Sequence, residues 1–277
     1  MALSELLKVF GSDEFDAGSV EQAVKDRYTQ VAERGTAAAS SCCAESSSVC
    51  CGSETAEMAT VADALYESGD LAVLTPEAMA ASAGCGNPIG LSEAKPGETV
   101  LDLGSGGGID CFLAAQEVGE SGQVIGIDMT HAMINLARSN AEKMGAHNVV
   151  FKLGKIEAIP QLDTSVDLVI SNCVIALSPD KDRVFDEIYR VLKPGGRFVV
   201  SDMVVTEELP DEVRSSAEEW VSCVGGADLL SRYLGRMERS GFSDVEIMSD
   251  VPMRPRSDGT AWEESVRSVT VRGWKFN

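Results

Sequence analysis

Basic residues are scarce in this chain of 277 residues: 23 lysines and arginines face 44 aspartates and glutamates, which gives a formal net charge of -21 at pH 7. Because binding to phosphate backbones needs clustered positive charge, we expect no nucleic-acid partner. Apolar runs are short, and none approaches the roughly 18 residues that indicate a membrane span. The N-terminus lacks the basic start, long apolar centre and small-residue cleavage site of an export signal. These absences predict a cytoplasmic protein with no membrane partner.

Histidine is nearly absent: His131 and His147 are the two in the chain, and neither has an acidic or cysteine partner at metal-ligand spacing. Cysteine, with eight residues, is abundant. In a reducing compartment these are expected to be thiols for metal, metalloid or redox chemistry rather than a disulfide framework. The excess of carboxylates is typical of proteins from a high-salt cytoplasm, and this predicts thermal stability that depends on salt.

From residue 99 onward, short runs rich in Val and Ile alternate with helical patterns, as in TVLDL, QVIGIDM, VDLVISN and GRFVVSDMV. This alternation predicts an α/β fold with a Rossmann-like, doubly wound, mostly parallel sheet. Two late runs, DVEIMS and SVTVRGW, predict an antiparallel pair that closes one edge of the sheet. A mostly helical insertion is expected before them, over 210–240.

The N-terminal part has a different pattern. An amphipathic helix is predicted over 13–35, then a small-residue loop over 35–53 without a hydrophobic period, then a second helix around 58–66. The predicted regions are N-terminal helices with a Cys/Ser-rich loop at 1–70, the core of the sheet at 71–205, and a helical cap with the closing edge strands at 206–277.

The segment DLGSGGG follows a predicted strand and opens a predicted helix. It departs from the G-x-G-x-x-G spacing of dinucleotide-binding proteins, because counting from Gly104 places Ile109 at the third glycine position. Asp102, just before the glycines, would repel a pyrophosphate. S-adenosylmethionine, which has a sulfonium and an ammonium group but no phosphate, suits this acid better. Asp128 ends the next strand, where a carboxylate can accept hydrogen bonds from both ribose hydroxyls.

With these features in register, the chain resembles the class I S-adenosylmethionine-dependent methyltransferases over roughly 97–205 and, with the edge strands, to its end. The resemblance implies that VLDLGSGGG binds the methionine end of the cofactor, GIDMT the ribose and KIEAIP the adenine. The alternative is a glycine turn that serves only packing. The implied cofactor-binding residues are Asp102, Gly104, Ser105, Gly106, Asp128, Met129, Ile156 and Glu157.

Three cysteines lie where they could converge over the methyl donor. Cys173 follows the strand VDLVIS, Cys223 lies in the helical insertion, and Cys85 lies in the loop GCGNP before the core. Three sulfurs without a histidine cluster or a C-x-x-C motif argue against tetrahedral zinc and favour a soft, three-coordinate centre. Trivalent arsenic binds three thiolates and keeps a lone pair that needs no general base, so catalysis would be mainly positioning.

The motifs GCGNP, LGSGGGIDCFLAA, GIDMT, SNCVIALSPDK and CVGGA together resemble the arsenite methyltransferases. This resemblance implies that Cys85, Cys173 and Cys223 are the catalytic ligands of As(III). It also implies that Cys85 forms and breaks a disulfide as methylation changes the oxidation state of arsenic, with a thioredoxin- or glutathione-type thiol as reductant. Ala176 stands where the family often has Asn, a change that removes no required chemistry.

Two other functions remain open from the sequence: methylation of a small organic acceptor, such as a quinone- or sterol-type carbon, and metalloid sensing or sequestration without turnover. Cys111 is expected to be a small buried hydrophobe. The remaining cysteines form two adjacent pairs, expected either to be solvated thiols or to capture arsenic or resolve a disulfide with Cys85. These pairs are Cys42 with Cys43 and Cys50 with Cys51.

Overall fold

The computed structural model describes residues 17–41, 74–80, 84–253 and 262–276. Within these ranges eight strands form one sheet in the order β3-β2-β1-β4-β5-β8-β7, with the short β6 paired to β5. The strands are β1 (Thr99–Leu103), β2 (Gln123–Asp128), β3 (Val149–Leu153), β4 (Val166–Asn172), β5 (Leu192–Val205), β6 (Asp228–Leu229), β7 (Ser243–Pro252) and β8 (Val266–Trp274).

Helices lie before and between the strands. The α-helices are α1 (Ala17–Ser41), α2 (Pro76–Ala80), α3 (Ile109–Val118), α4 (His131–Met144), α5 (Lys181–Val191), α6 (Asp211–Arg214), α7 (Ala217–Val221) and α8 (Leu230–Arg239). Short 3-10 turns occur at Ile89–Leu91, Ile175–Leu177 and Glu263–Ser265. None of the helices in the described ranges combines the length and the apolar character needed to cross a bilayer.

The central strands are buried on both faces. In β1, Val100 packs in a cluster with residues of α3 and α4, while Leu101 and Leu103 pack in a second cluster with residues of α5 and α8. All three side chains are fully buried. Strands β3, β2, β1, β4 and β5 run parallel to their neighbours. Consecutive buried residues in parallel strands need covering layers on both faces, so the predicted doubly wound α/β fold is confirmed.

The last two strands close the sheet. β8 runs antiparallel to β5 and to β7, and it lies between them, so β7 forms the edge. The predicted antiparallel pair is therefore present. The helical insertion before it contains α6, α7 and α8, together with the short β6.

Strand order determines where a ligand can bind. From β1 the chain moves to β2 and β3 on one side, and then returns to β4 and β5 on the other. The connections that follow β1 and β4 therefore lead to opposite faces of the sheet, which opens a crevice at the carboxyl ends of these strands.

The N-terminal helix is longer than the sequence pattern predicts. Helix α1 continues to Ser41, so the prediction of a loop beginning at residue 35 is wrong for 35–41. This segment, GTAAASS, is rich in alanine, the residue with the highest helix propensity, and contains no proline to end the helix. The predicted helix around 58–66 lies outside the described residues, as do the paired cysteines Cys42, Cys43, Cys50 and Cys51.

Candidate active site

The glycine loop after β1 turns back over the end of the sheet. Gly104 and Gly106 have positive φ angles of 68° and 50°, which glycine adopts without a steric penalty. A Cβ atom on Gly104 would lie 2.5 Å from the side chain of Val174, so the loop after β1 contacts the loop after β4. The amide of Ser105 donates to the carbonyl of Ile127 on β2, 2.9 Å away. The loop is thus held close to both neighbouring strands.

Asp128, the last residue of β2, organises two turns. One carboxylate oxygen accepts a hydrogen bond from the Gly106 amide at 3.1 Å, and the other accepts one from the Thr130 amide at 2.8 Å. Burial raises the pKa of Asp128, although both amides oppose that rise. The carboxylate is therefore fixed in place at the edge of the crevice.

The crevice is open to solvent, and the space within it, open solvent included, is about 1040 Å³. Most of the residues predicted to bind the cofactor line it, namely Gly104, Ser105, Gly106, Asp128, Met129, Ile156 and Glu157. Ser105 lines the cavity, and its buried hydroxyl has no hydrogen-bond partner in the part of the chain that the structure describes. A buried hydroxyl of this kind calls for a polar partner. The close-approach glycines, the free hydroxyl and the fixed carboxylate fit the polar groups of S-adenosylmethionine.

Asp102 is the exception among the predicted cofactor ligands. It does not line the cavity but lies beneath the glycine loop, 2% exposed, where it accepts a hydrogen bond from the Cys111 thiol at 3.1 Å. Burial and the neighbouring Asp110 raise its pKa well above the usual range. Asp102 therefore lies outside the lining of the cavity, and its direct contact with the cationic ligand stays a prediction. The position follows from strand geometry, since Asp102 lies one residue before the end of β1 and does not reach the crevice.

The cluster around Asp102 also corrects the prediction for Cys111. Its side chain is fully buried, as expected, but its thiol donates a hydrogen bond and does more than fill space. Asp110, which the sequence reasoning missed, lines the cavity in the first turn of α3. Its place directly after the glycine loop was the available signal.

The three predicted arsenic ligands come together on the other side of the cavity. Cys85 and Cys173 form a disulfide with a Cα–Cα distance of 5.7 Å. The Cys223 thiol donates to the backbone carbonyl of Cys173 at 3.3 Å. Cys173 also lines the cofactor cavity. With two of the sulfurs joined, the described residues contain no group of three or more His, Cys, Asp or Glu side chains arranged for a metal ion.

The backbone at two of these cysteines is unusual. Cys173 and Cys223 have φ angles of 59° and 66°, in the left-handed region that residues other than glycine rarely adopt. Such a conformation is unfavourable by about 1–3 kcal/mol and persists only where surrounding contacts enforce it. The packing around both cysteines thus holds their side chains in directions that an ordinary turn would not give.

Ionisable groups surround Cys223. Burial, together with the nearby carboxylate of Asp202, raises the pKa of the Cys223 thiol to about 12. Burial also raises the pKa of Asp202 to about 6 and lowers the pKa of Lys181 to about 8. Lys181 donates to the carbonyls of Ala176 and Ser178, at 3.1 Å and 2.8 Å, and so supports the loop after Cys173. At neutral pH the Cys223 sulfur is therefore a thiol.

Helix α1 covers the cavity. Glu21, Val24 and Tyr28 line it from above, and Glu21 forms a salt bridge of 2.6 Å with Lys155 on the opposite wall. Tyr28 packs against the apolar cluster that contains Cys223. The sequence predicted this helix but not its place, because an amphipathic pattern does not say which surface the apolar face will cover. His131 and His147 lie outside the cavity lining, in exposed positions.

Comparisons with known proteins agree with this geometry. A family model described as a methyltransferase domain matches residues 94–257. The crystal structure of an arsenic(III) S-adenosylmethionine methyltransferase from Chlamydomonas reinhardtii is 38% identical, with a TM-score of 0.68, and the match covers 75% of this chain and 73% of that one. The chain belongs to the arsenite methyltransferase family.

Two curated members of the family show how far the similarity extends. The arsenite methyltransferase of Halobacterium salinarum is 44% identical over 238 residues, which is 84% of this chain and 59% of that protein. The enzyme of Aquipseudomonas alcaligenes is 42% identical over 190 residues, which is 66% of this chain and 54% of that protein. The chain thus spans little more than half the length of these relatives.

Ala176 is the position at which this family member departs from the residue often found in arsenite methyltransferases. Its side chain is buried, and its backbone makes the polar contacts: the amide donates to Asp202 at 2.8 Å and the carbonyl accepts from Lys181. The carbonyl also lies so close to Gly226 that a Cβ there would be 2.1 Å away. The contacts of this turn therefore do not depend on the side chain at 176.

Proposed function

We propose that this chain transfers a methyl group from S-adenosylmethionine to trivalent arsenic bound by Cys85, Cys173 and Cys223. The observation that carries the proposal is the position of Cys173, which joins Cys85, touches Cys223 and borders the cofactor cavity. A metalloid held by these sulfurs would lie next to the cavity that binds the cofactor. The names of relatives that are 38% and 44% identical support the same activity.

The cofactor side supplies binding and orientation. S-adenosylmethionine, when bound, supplies an electrophilic methyl group on its sulfonium. Asp128 would accept hydrogen bonds from the ribose hydroxyls, and the unpartnered Ser105 hydroxyl would bond another polar group of the cofactor. Ile156 and Glu157 would flank the adenine. Asp102 would act indirectly, by supporting the glycine loop from below.

Arsenic binding first requires reduction of the Cys85–Cys173 disulfide. Two thiols of a reductant of the thioredoxin or glutathione type, present in a reducing cytoplasm, would supply two electrons and two protons. The reaction yields two protein thiols and one disulfide of the reductant. Without this step, only Cys223 is a free thiol among the three.

Arsenous acid would then exchange its three hydroxyls for the three sulfurs. Each thiol gives its proton to a departing hydroxyl, so the products are a tris-thiolate and three waters, with no net change of charge. A raised pKa at Cys223 does not oppose this exchange, because the thiol itself supplies the proton. The negative charge of the chain likewise does not repel arsenous acid, which is mostly neutral at pH 7.

Methyl transfer would use the arsenic lone pair to form the As–C bond as the bond between the sulfonium sulfur and the methyl carbon breaks, with S-adenosylhomocysteine as the leaving group. This raises arsenic formally from the trivalent to the pentavalent state and gives it a positive charge. The sulfurs of Cys85 and Cys173 would then leave as a disulfide and return two electrons to arsenic, while a water molecule adds its hydroxide to arsenic and releases a proton, so that neutral methylarsenic with one hydroxyl remains on Cys223. The pairing of Cys85 with Cys173 in the structure supports the choice of these two sulfurs as the ones that leave together. Helix α1 contributes by covering the cavity, which limits the access of water.

The direct test is incubation of the reduced protein with arsenite, isotopically labelled methyl donor and excess thiol. The proposal predicts labelled methylarsenic, separated by chromatography, and no more than one equivalent when the thiol is removed after the initial reduction. In parallel, arsenite should change the fluorescence of Trp220, which packs in the same cluster as Cys223.

Two results would contradict the proposal in different ways. Saturable arsenite binding without methylarsenic would indicate a sensor or sequestering protein. No binding at all, with cofactor affinity intact, would indicate a methyltransferase for an organic acceptor in which the three cysteines only pack.

A further inference from the structure

The loop that carries Cys85, residues 84–88, has no helix or strand of its own. Its position against the sheet therefore depends on a few specific contacts. The Cys85 carbonyl accepts a hydrogen bond from the Ser268 hydroxyl of β8 at 2.7 Å. Among the described residues, Asn172, the last residue of β4, makes the other side-chain hydrogen bonds to the backbone of Cys85 and Gly86.

The side-chain amide of Asn172 forms hydrogen bonds with the loop through both its oxygen and its nitrogen. Its oxygen accepts from the amides of Cys85 at 3.0 Å and Gly86 at 3.2 Å. Its nitrogen donates to the Gly86 carbonyl at 2.8 Å and to the Asp110 carboxylate at 3.2 Å. Only a carboxamide offers an acceptor and two donors on one short side chain, so Asp or Ser could reproduce part of this set but not all of it.

The fit between loop and sheet is tight on both sides of Cys85. A Cβ atom on Gly84 would lie 2.5 Å from the Asn172 nitrogen, and one on Gly86 would lie 2.7 Å from the Ser201 side chain. Both glycines thus allow the loop to lie directly on the end of β4 and on Ser201 of β5, the residue paired with Asn172. Because Asn172 immediately precedes Cys173, a bond from Asn172 to the loop also fixes the Cys85 sulfur relative to the Cys173 sulfur.

We propose that Asn172 is a positioning residue that docks the Cys85 loop, so that the sulfurs of Cys85 and Cys173 meet. Its value for arsenic chemistry rests on the proposed function, but the pairing of the two thiols does not involve arsenic. The bond to Asp110, which lines the cofactor cavity, places this docking contact between the two ligand sites.

The test is the thiol–disulfide equilibrium of the purified protein in mixtures of reduced and oxidised glutathione. Two glutathione thiols convert the Cys85–Cys173 disulfide to two protein thiols, with one glutathione disulfide formed. Trapping with an alkylating reagent and mass spectrometry give the disulfide fraction. In Asn172→Ala the loop loses its hydrogen bonds to the end of β4, so the disulfide alone must hold the loop against the sheet. We therefore expect the equilibrium constant for disulfide formation to be roughly tenfold below that of the wild type.

Asn148→Ala is the matched control. Asn148 is also half-buried, and its amide donates to the carbonyls of Ala115 and Gly119 at 3.2 Å and 3.0 Å, away from the thiols. Asn148→Ala should lower the denaturant midpoint of unfolding, because the protein loses two hydrogen bonds. It should leave the equilibrium constant for disulfide formation within about twofold of the wild type, since neither thiol loses a contact. A wild-type constant in Asn172→Ala, or an equal shift in Asn148→Ala, would overturn the proposal.

Amide hydrogen exchange of the wild-type protein tests the same docking contact, and it does not require that Asn172→Ala folds. In the reduced wild-type protein, the amides of Cys85 and Gly86 should exchange their hydrogens at least about tenfold more slowly than in a free peptide, because both donate to Asn172. Exchange at the peptide rate would overturn the docking role. If the wild type makes no methylarsenic while the exchange constant still shifts in Asn172→Ala, the proposed function fails and the positioning role stands.

Discussion

The cofactor side and the thiol side of the cavity are built differently. On the cofactor side, the groups that face the cavity come from the end of β2 and from the turns directly after β1, β2 and β3, and backbone amides fix the carboxylate of Asp128. On the thiol side, three cysteines from separate parts of the chain pack in one cluster, where a disulfide joins two of them and the thiol of the third donates to the backbone carbonyl of Cys173. A site made of backbone turns tolerates changes in most side chains, whereas a site made of convergent side chains depends on each of them.

The largest expected effect is on the thiol side. Cys173→Ser should lower the rate of methylarsenic formation by roughly 100-fold or more, because a hydroxyl is a poor arsenic ligand and misplacing the acceptor has effects of this size. Cofactor affinity, measured by calorimetry, should stay within about threefold, because the glycine loop and Asp128 are untouched. A variant that keeps its activity would remove the requirement for three sulfurs.

The complementary change is on the cofactor side. Asp128→Ala should weaken S-adenosylmethionine binding by about 10- to 100-fold, the range expected for the loss of hydrogen bonds to a charged group. Arsenite binding by the reduced protein, followed by Trp220 fluorescence, should be unchanged. Asp163→Ala is the control, since that carboxylate is 74% exposed and pairs with Arg190 away from the cavity. Equal weakening in both variants would contradict the assigned role of Asp128.

The contact between the two sides can be tested through a pair of glycines. Gly104→Ala should reduce the free energy of unfolding by about 2 kcal/mol more than Gly145→Ala does. Both positions have a positive φ, 68° and 64°, but a Cβ at 104 would meet Val174 while one at 145 would meet nothing within 4 Å. Urea unfolding of the two variants measures the difference. Equal losses would show that the contact between the two loops contributes nothing.

The smallest expected effect is a dependence of stability on pH. Burial lowers the pKa of Lys181 to about 8 from its ordinary value of 10.5, so between these values the unfolded chain binds more protons than the folded one. The buried Lys181 side chain therefore contributes stability that is fully present above pH 10.5, where the amine is neutral in both states, and that is lost as the pH falls through 8. From pH 7 to pH 9, the free energy of unfolding of the wild type should gain about 1 kcal/mol relative to Lys181→Met. Parallel curves for the two proteins would contradict the burial of this cation.

The two sides also differ in how far the sequence could predict them. The glycine turn and Asp128 lie within local motifs whose geometry follows from the strand–turn–helix pattern, and these residues line the cavity. The resemblance added Met129, Ile156 and Glu157, which line it as well. Asp102 does not, because its distance from the crevice depends on where β1 ends. Because side chains alternate between the two faces of a strand, a shift of one residue in the end of β1 would change the direction in which the residue at 102 points.

On the thiol side, the sequence indicated three cysteines but not what holds them. The predicted strand before Cys173 indicated the carboxyl edge of the sheet, and the insertion and the loop before the core indicated that Cys223 and Cys85 could reach it. The resemblance then implied that all three bind arsenic. The contacts of Asn172 and the position of α1 over the cavity depend on tertiary packing, which no local pattern encodes. Helix α1 is longer than its hydrophobic pattern predicts, because a segment without a hydrophobic period is typical of a loop, whereas the alanines of 35–41 favour a helix.

The central claim is that three sulfurs bind one arsenic atom. X-ray absorption at the arsenic edge, on reduced protein with one equivalent of arsenite, measures the number of sulfur neighbours directly. The account predicts three sulfurs in the wild type and in Cys111→Ala, whose thiol is buried beneath the glycine loop, and two in Cys223→Ser. Oxygen neighbours in the wild type, or an unchanged sulfur count in Cys223→Ser, would contradict it.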